Sequence, residues 1–380
     1  MTIKRLLILT LAALLMILTP ACAASEESAP PTEMLQSEQS SAQIPTAELP
    51  TDVPTDPPTE PATEAPTEAP DEEFLLSFAG DCCLANLKTW SKDRYFIGTV
   101  GDNYAYPFAS VQDYFAADDC TFVNLECVFT ESSNSANKQF VFKGPPAYSQ
   151  ILTAGSVEFA NIVNNHTMDY GRTGYDDTAA ALDNVGIPYA HQRDTRVFTT
   201  ESGLTIGVYA DTYPKDIDGL KEKIDAMRAE GAELIIVSMH WGKEYFYVPN
   251  QTQIDLGHAA IDAGADIVYG THPHVLQPIE VYNGKYIYYS LGNFSFGGNT
   301  NPTDKDTAII QQQIIRKSDG TIQLGELTMI PCSVSSTEST NDFQPTPLEP
   351  GTDAYERTLS KLNGTYEKNK ISVTYRPELG

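Results

Sequence analysis

Residues 235–242 read IIVSMHWG and residues 267–274 read IVYGTHPH, so two mostly apolar runs are each followed by histidine. Apolar runs without polar alternation are typical of strands that are buried on both faces, as in parallel sheets. Similar runs recur along the chain. The sequence predicts strands at residues 74–79, 121–125, 158–163, 204–210, 233–239, 266–269 and 286–290.

Segments with helical spacing separate these strands. Helices are predicted near residues 107–117, 173–185, 217–230 and 253–263, with a further one near 354–362. Strands that alternate with helices indicate an α/β fold. Residues 307–316 and 321–330 instead alternate apolar and polar side chains around Ser318, Asp319 and Gly320, which predicts an antiparallel hairpin.

Polar side chains follow six of the predicted strands. They are Asp81, Asn124 and Glu126, Asn165 and His166, His240, His272 and His274, and Asn293. Because functional sites of α/β sheets lie beyond the carboxyl ends of the strands, we expect these side chains to converge on one rim. Any one of them alone would be better explained as a turn or as a core residue, so the combination carries the prediction.

The residue types on this rim suit a metal site. Four of the six histidines lie there with carboxylates and amides, a mixed N/O set that binds Mn, Fe or Zn. Two such ions roughly 3.5 to 4 Å apart would clamp a phosphoryl group. His272 and His274 occupy alternating positions, which would direct both imidazoles to one side of an extended segment.

The clusters also resemble a known family. In chain order they read GD at 80–81, NLE at 124–126, NNHTMDYG at 164–171, HWGKEY at 240–245, GTHPHVLQP at 270–278 and YSLGNF at 289–294. From about Leu75 to Ile330 these motifs resemble those of the CapA family of bacterial poly-γ-glutamate capsule synthesis proteins. That family is similar to calcineurin-like metallophosphoesterases. The resemblance implies a four-layer α/β sandwich over residues 74–335 that holds two divalent metals.

The resemblance also implies roles for individual residues. The implied metal ligands are Asp81, Asn124 or Glu126, Asn165, His240, His272 and His274. His166 matches the histidine that steadies the attacking or leaving oxygen. Cys83 stands where metallophosphoesterases have the histidine of their first motif, so one metal would be weaker or absent. Buried packing is the preferred interpretation of Cys83, as it is for Cys120 and Cys127, which flank one strand and would otherwise pair.

Two carboxylates complete the candidate catalytic set. Asp169 either caps the helix that follows it or hydrogen-bonds His166 and orients it. Glu244 is a candidate general acid or base, with a structural hydrogen bond as the alternative. Residues 245–247 read YFY and predict an aromatic rim suited to a polymer or a sugar, although surface aromatics also cover core.

The chain has a distinct N-terminal region. Lys4 and Arg5 precede a thirteen-residue apolar run at 6–18, too short to span a bilayer, so residues 1–23 are predicted to be a secretory signal. The TPAC sequence at 19–22 leaves two outcomes open, lipidation of Cys22 or plain secretion. Residues 24–73 contain ten prolines, thirteen acidic residues and no Lys or Arg, which predicts a disordered acidic stalk. Residues 336–380 form a C-terminal extension.

Net charge limits the partners. A formal charge of −27 argues against nucleic acid. The Lys and Arg residues concentrate visibly only within residues 215–228, so an anionic polymer would need metals or a local basic patch to bind.

Two functions remain open. One is a metal-dependent hydrolase of envelope phosphoesters or of capsule polymer linkages, held on the outer face of the bacterial membrane through its N-terminal anchor alone. The other is a non-catalytic component of a polymer export complex. Membrane-embedded capsule synthesis proteins are expected partners for either.

Overall fold

A computed structural model describes residues 70–369 of the 380-residue chain. The predicted signal segment (1–23) and residues 24–69 of the predicted stalk lie outside the described residues, so their assignments stay predictions. Within residues 70–369, the structure contains no helix with both the length and the hydrophobicity required to cross a membrane.

Seventeen strands and seven helices make up this described part of the chain. The strands are β1 (Glu72–Cys83), β2 (Asn86–Leu87), β3 (Cys120–Leu125), β4 (Val128–Phe129), β5 (Phe142–Gly144), β6 (Phe159–Asn161), β7 (Tyr189–Ala190), β8 (Thr195–Thr199), β9 (Thr205–Thr212), β10 (Leu234–His240), β11 (Ile267–Thr271), β12 (Leu276–Tyr282), β13 (Lys285–Leu291), β14 (Asn293–Phe296), β15 (Asp306–Arg316), β16 (Ile322–Ser333) and β17 (Thr346–Pro347). The helices are α1 (Tyr95–Val100), α2 (Gln112–Phe115), α3 (Ser149–Ala154), α4 (Gly171–Val185), α5 (Leu220–Ala229), α6 (Gln251–Asp262) and α7 (Asp353–Leu362).

Two large sheets form the centre of the fold. The first has eight strands in the order β17-β16-β15-β1-β3-β6-β7, with β14 pairing parallel to the end of β1. The second has six strands in the order β12-β13-β11-β10-β9-β8, parallel in the middle and antiparallel at both edges. A small third sheet has the strand order β2-β5-β4. In the chain, β2 precedes strand β3 of the first sheet, and β4 and β5 follow it.

The hydrophobic side chains divide into three layers of core. Phe78 of the first sheet packs against Tyr269 and Tyr288 of the second, with ring centroids 5.6 and 5.3 Å apart, so one core lies between the sheets. A second core joins the first sheet to α1, α3 and α4, and a third joins the second sheet to α5 and α6. The predicted four-layer α/β sandwich is therefore present.

The packing of strand β10 explains why its sequence lacks polar alternation. Leu234 and Ile236 pack into the core between the sheets, whereas Ile235, Val237 and Met239 pack against the helices on the other face. Both faces are buried, so every position favours an apolar side chain. The same geometry underlies the prediction of the other central strands, which the structure confirms.

The structure differs from the predicted elements in several places, and strands β8 and β12 are among the elements that were not predicted. The helix predicted at 107–117 is reduced to α2 and a 3-10 turn at Tyr106–Phe108. Phe108, Val111 and Phe115 are all buried, so their helical spacing reflects burial from separate short turns. The third sheet was not predicted, because its strands have only two or three residues and carry no measurable periodicity.

Both ends of the described chain extend the domain. Strand β1 begins at Glu72, two residues before the predicted start, because Glu72 and Glu73 pair with the end of β15. Within the C-terminal extension, β17 pairs with β16 and α7 packs on β12, β15 and β16. Residues up to the end of α7 are thus part of the same folded unit as the two sheets.

Candidate functional site

Strand ends from both sheets supply the site. In the first sheet, Asp81 pairs in register with Asn124, and Asn124 pairs with Asn161. In the second sheet, His240 at the end of β10 lies beside Thr271 at the end of β11. The side chains that follow parallel strands therefore meet at one rim, as the sequence predicted.

Gly80 permits this arrangement on β1. A Cβ atom at this position would overlap the carbonyl oxygen of Gly292, which instead accepts a 2.8 Å hydrogen bond from the backbone N–H of Asp81. Only glycine allows β1 to approach the segment before β14 this closely. The contact fixes where Asp81 enters the site.

Glu126 lies at the centre of the cluster. It is fully buried, and neither of its carboxylate oxygens has a hydrogen-bond partner among residues 70–369. Oε1 lies 3.8 Å from Nε2 of His240, 3.8 Å from Nε2 of His274 and 4.0 Å from Nε2 of His166. A buried carboxylate without hydrogen bonds is costly, so this arrangement fits a cation held between the carboxylate and the imidazoles.

Three overlapping sets of side chains bring potential ligand atoms within 4.8 Å of one another. They are Asp81, Glu126 and His274; Glu126, His240 and His272; and Glu244, His272 and His274. Glu126 belongs to two of the sets, so it can contribute to two adjacent cation positions. The residues present therefore fit one divalent metal, with a second accommodated by the shared carboxylate.

Asn165 is a further oxygen donor at this rim. Its side chain lies near the Tyr213 hydroxyl, which lies 3.0 Å from Nε2 of His272. Its Oδ1 is buried without a hydrogen-bond partner in the described chain, as is Nε2 of His240. Both orphaned atoms have the chemistry of metal ligands.

Asn124 has a different position from the one predicted. Its Nδ2 donates a 2.8 Å hydrogen bond to Oδ1 of Asp81, and its Oδ1 accepts hydrogen bonds from Asn161 and Asn164 at 3.0 and 3.2 Å. Since both lone pairs of the amide oxygen are used, Asn124 holds Asp81 in place. Of the two second-motif candidates, Glu126 is the one that has free oxygens.

Asp169 and His166 form a buried pair. Oδ2 of Asp169 lies 2.9 Å from Nδ1 of His166, and the carboxylate also forms an ion pair with Lys138. Nζ of Lys138 donates a 2.8 Å hydrogen bond to the carbonyl of Asn165. Asp169 therefore orients His166, which is the second of the two roles that the sequence left open, and it does not contact the cluster centre itself.

The loop after β10 forms the open side of the site. Glu244 is exposed yet reaches the His272 and His274 set, and Tyr245 and Phe246 are 59% and 49% exposed. The backbone N–H of Tyr245 donates a 2.8 Å hydrogen bond to the carbonyl of Pro273, which ties this loop to the histidines. Of the three aromatic residues predicted to form a rim, Tyr245 has its ring centroid 6.3 Å from that of His274, whereas Tyr247 packs against Tyr366.

The backbone of the histidine pair is not extended, contrary to the prediction. His272 has φ 100° and His274 has φ 57°, values that residues other than glycine rarely adopt. Their ring centroids lie 5.7 Å apart, so the two imidazoles still face one site. Tyr213 and Tyr245 also have positive φ, and such conformations concentrate at functional sites.

Burial and neighbouring charges divide the ionisable groups. Burial lowers the pKa of His240 well below its usual value and, with the nearby His274, lowers the pKa of His272 to about 4. Burial likewise raises the pKa of Glu126 well above that of an exposed carboxyl. For His274 burial opposes protonation, but Glu126 and Asp81 outweigh it and raise the pKa to about 10. His240 and His272 are therefore neutral, whereas Glu126 and His274 favour their protonated forms.

Cys83 is fully buried and belongs to none of the ligand sets in the described chain. Burial raises the pKa of its thiol well above the usual value, which favours the neutral form over a metal-binding thiolate. The buried-packing interpretation fits these observations. Cys120 and Cys127 are likewise buried free thiols, so they do not pair.

Sequence reasoning missed Tyr213 and Lys138. Tyr213 follows β9 directly, so the strand-end rule that identified the histidines would also have found it. Lys138 lies between β4 and β5, in a segment without periodicity, and had no such signal.

Comparisons with known proteins agree with the motifs. The family model described as "Bacterial capsule synthesis protein PGA_cap" matches residues 75–298. "PGA biosynthesis protein CapA" of Bacillus subtilis (strain 168) is 31% identical over 289 residues, which cover 66% of this chain and 76% of the relative. "Capsule biosynthesis protein CapA" of Bacillus anthracis is 30% identical over 273 residues, which cover 64% of each chain.

A similar solved structure is the calcineurin-like phosphoesterase YfkN from Bacillus subtilis. Its TM-score is 0.44 at 17% identity, and the match covers 72% of this chain and 95% of that structure.

Proposed function

Since the chain belongs to the bacterial capsule synthesis protein PGA_cap family, we propose that it is a metal-dependent hydrolase of phosphoester-like or polymer linkages in a capsule or envelope polymer. The observation that carries the proposal is Glu126. A fully buried carboxylate with two unpartnered oxygens faces three imidazole nitrogens at 3.8 to 4.0 Å. A site built only for stability would satisfy that carboxylate with hydrogen bonds or replace it with an apolar side chain.

The residues that would hold divalent cations, Mn, Fe or Zn, are Asp81, Glu126, Asn165, His240, His272 and His274, with Glu244 at the open side. Bound cations would polarise an electrophilic oxygen of the substrate and stabilise its developing negative charge. Asn124 holds the carboxylate of Asp81 in a fixed orientation through their hydrogen bond.

His166 is the residue best placed to move a proton. Burial lowers its pKa, so the imidazole is neutral near pH 7. Because Nδ1 donates to Asp169, Nε2 carries the lone pair and faces the cluster. This nitrogen would accept a proton from the attacking group or return one to the leaving group. Glu244, Tyr245 and Phe246 would contact the substrate at the rim.

The proposed location is the outer face of the cell membrane. The capsule names of the relatives support association with the envelope. Attachment through a lipid at Cys22, with the acidic stalk as a spacer, is the proposed form of this association, and plain secretion is its alternative. Membrane-embedded capsule synthesis proteins are the proposed partners.

Metal analysis of the purified full chain tests the proposal. After reconstitution with Mn, Fe or Zn, we expect one to two ions per chain, with loss of metal in Glu126→Gln and in the triple variant His240→Ala, His272→Ala, His274→Ala. The matched control is His191→Ala with His258→Ala, because both of these histidines belong to none of the ligand sets found in residues 70–369. Circular dichroism establishes that each variant is folded.

A phosphodiester substrate screen follows on the metal-loaded chain. Turnover that disappears in His166→Ala while metal content is kept supports the hydrolase. The alternative function is a non-catalytic component of a polymer export complex, and the thiol of Cys83 at a first-motif position favours it. A folded chain that takes up no stoichiometric metal would contradict the hydrolase and leave this alternative.

A further inference from the structure

A second pocket lies on the small third sheet. It has a volume of about 340 Å³, and its lining includes Lys88, Lys92, Lys143, Trp90, Tyr170 and Glu131. None of these residues belongs to the ligand sets around Glu126. The sequence did not reveal this group, because its lysines come from separate segments on either side of β3 and β4.

Ten of the twenty Lys and Arg side chains in residues 70–369 form no ion pair with a carboxylate, and three of these ten line the pocket. Ten described Lys and Arg side chains form ion pairs with carboxylates, as expected for a chain of formal charge −27. Lys88, Lys92 and Lys143 form no ion pair with any carboxylate in residues 70–369. Lys88 donates to the hydroxyl of Ser135, and Lys143 donates a 2.8 Å hydrogen bond to the carbonyl of Ser132. Neutral oxygens thus hold the ammonium groups of Lys88 and Lys143 and leave their positive charge uncompensated.

Aromatic side chains form part of the same pocket. Nζ of Lys143 lies 5.1 Å from the ring centroid of Tyr170. Trp90 is half-buried and packs on Tyr95 with ring centroids 4.3 Å apart. Glu131 is the single acidic side chain in the lining. The pocket therefore combines three positive charges with flat apolar surfaces, a combination that suits an anionic chain with methylene groups between its charges.

The pocket is joined to the candidate site through adjacent residues. The backbone N–H of Phe142 donates a 2.7 Å hydrogen bond to Asp169, and its ring lies 4.6 Å from that of His166. The next residue, Lys143, lines the pocket, as does Tyr170, which follows Asp169. A polymer bound in the pocket would consequently be anchored to the two segments that position His166.

We propose that this lysine pocket binds carboxylate groups of an anionic polymer, and so supplies the basic patch that the acidic chain otherwise lacks. The inference rests on the proposed function in taking that polymer to be the substrate. The apolar surfaces of Trp90 and Tyr170 beside the ammonium groups favour a carboxylate polymer, which has methylene groups between its charges, over polyphosphate, which has none.

Equilibrium binding to the full chain tests the pocket. The probes are a γ-linked glutamate oligomer, a polyphosphate of matched charge and neutral dextran. We expect the glutamate oligomer to bind best, with an affinity that falls as salt is raised, because added ions screen exposed charges. The double variant Lys88→Glu, Lys92→Glu should bind about tenfold more weakly or worse, since two positive charges become negative at two exposed positions.

The control is Lys215→Glu with Lys223→Glu, which changes the net charge equally outside the pocket. Equal weakening by the control, or equal binding of polyphosphate, would overturn the proposal.

Glu126→Gln separates the pocket proposal from the metal-centre proposal. This variant should lose metal but still bind the oligomer, whereas the lysine variant should keep its metal and lose binding of the oligomer. Unchanged binding by the folded lysine variant would remove the pocket and leave the metal centre unaffected.

Discussion

Oδ2 of Asp169 lies 2.9 Å from Nδ1 of His166 and also accepts a 2.7 Å hydrogen bond from the backbone N–H of Phe142. This carboxylate holds the histidine ring by one nitrogen and also holds the start of β5. Lys138 forms an ion pair with the same carboxylate from the exposed side. His166 therefore presents Nε2 to Glu126 in a single orientation.

We expect Asp169→Asn to lower turnover about 10- to 100-fold, the range for loss of a group that orients a functional histidine. Metal content should stay near that of the unmodified chain, because Asp169 does not reach the ligand sets in the described residues. The measurement is kcat with metal analysis and a thermal melt. Asp176→Asn, which breaks an exposed pair with Arg172, serves as control. Full activity in Asp169→Asn would refute the orienting role.

A second prediction concerns the hydrogen bond from Asn124 to Asp81. Asn124→Ala removes the donor to Asp81 and one of the two acceptors of each amide group of Asn161 and Asn164. We expect metal affinity to fall about 10- to 100-fold and stability to fall by roughly 1–3 kcal/mol. Glu126→Gln should instead abolish stoichiometric binding. If both variants lose metal to the same extent in a titration, Asn124 is itself a ligand.

The strand-end rule worked because the main strands are buried on both faces. Their sequences are mostly apolar, and the polar residue at or just after the end of each one is the first that lies at the rim, as with His240 at the end of β10. The same rule could not separate Asn124 from Glu126. They lie two positions apart, and only the neighbours Asn161 and Asn164 decide that the amide is used internally.

Features made by tertiary contacts between short segments left no pattern in the sequence. Lys138 and the lysine pocket depend on the third sheet, whose strands are too short for periodicity. The backbone of His272 and His274 was mispredicted for a related reason. Alternation along the chain implies a shared face only for extended backbone, and here both residues have positive φ.

A buried ion network attaches α7 to the first sheet. Asp306 at the start of β15 accepts two 2.7 Å hydrogen bonds from Arg357 and lies 2.7 Å from Nζ of Lys361. Burial opposes ionisation of Asp306, but these two cations outweigh it and lower its pKa. Asp306→Asn leaves the buried Lys361 paired with Asp304 alone, so we expect a loss of about 1–3 kcal/mol in unfolding free energy.

The contribution of Asp306 should depend on pH. A carboxyl whose pKa is lower in the folded state stabilises the fold above its unfolded pKa of about 4, and the contribution is lost as pH falls through the folded value. Urea unfolding at neutral and acid pH measures this: the gap between Asp306→Asn and the unmodified chain should narrow on acidification. Asp225→Asn, in an exposed pair with Lys221, should cost about 0–1 kcal/mol. A gap that does not vary with pH would refute the ionic origin.

Gly80 links the fold to the site, because a Cβ there would meet the carbonyl oxygen of Gly292, a backbone atom that cannot move aside. Gly80→Ala should therefore destabilise the chain by roughly 1–3 kcal/mol and weaken metal binding, since Asp81 is displaced with β1. Gly325→Ala is the matched control. Its Cβ would meet only side-chain atoms of Gln313, whose flexible amide end can move aside, so both stability and metal affinity should change less. Thermal melts with metal titrations compare the two, and equal effects would mean that the close approach of β1 to Gly292 does not position Asp81.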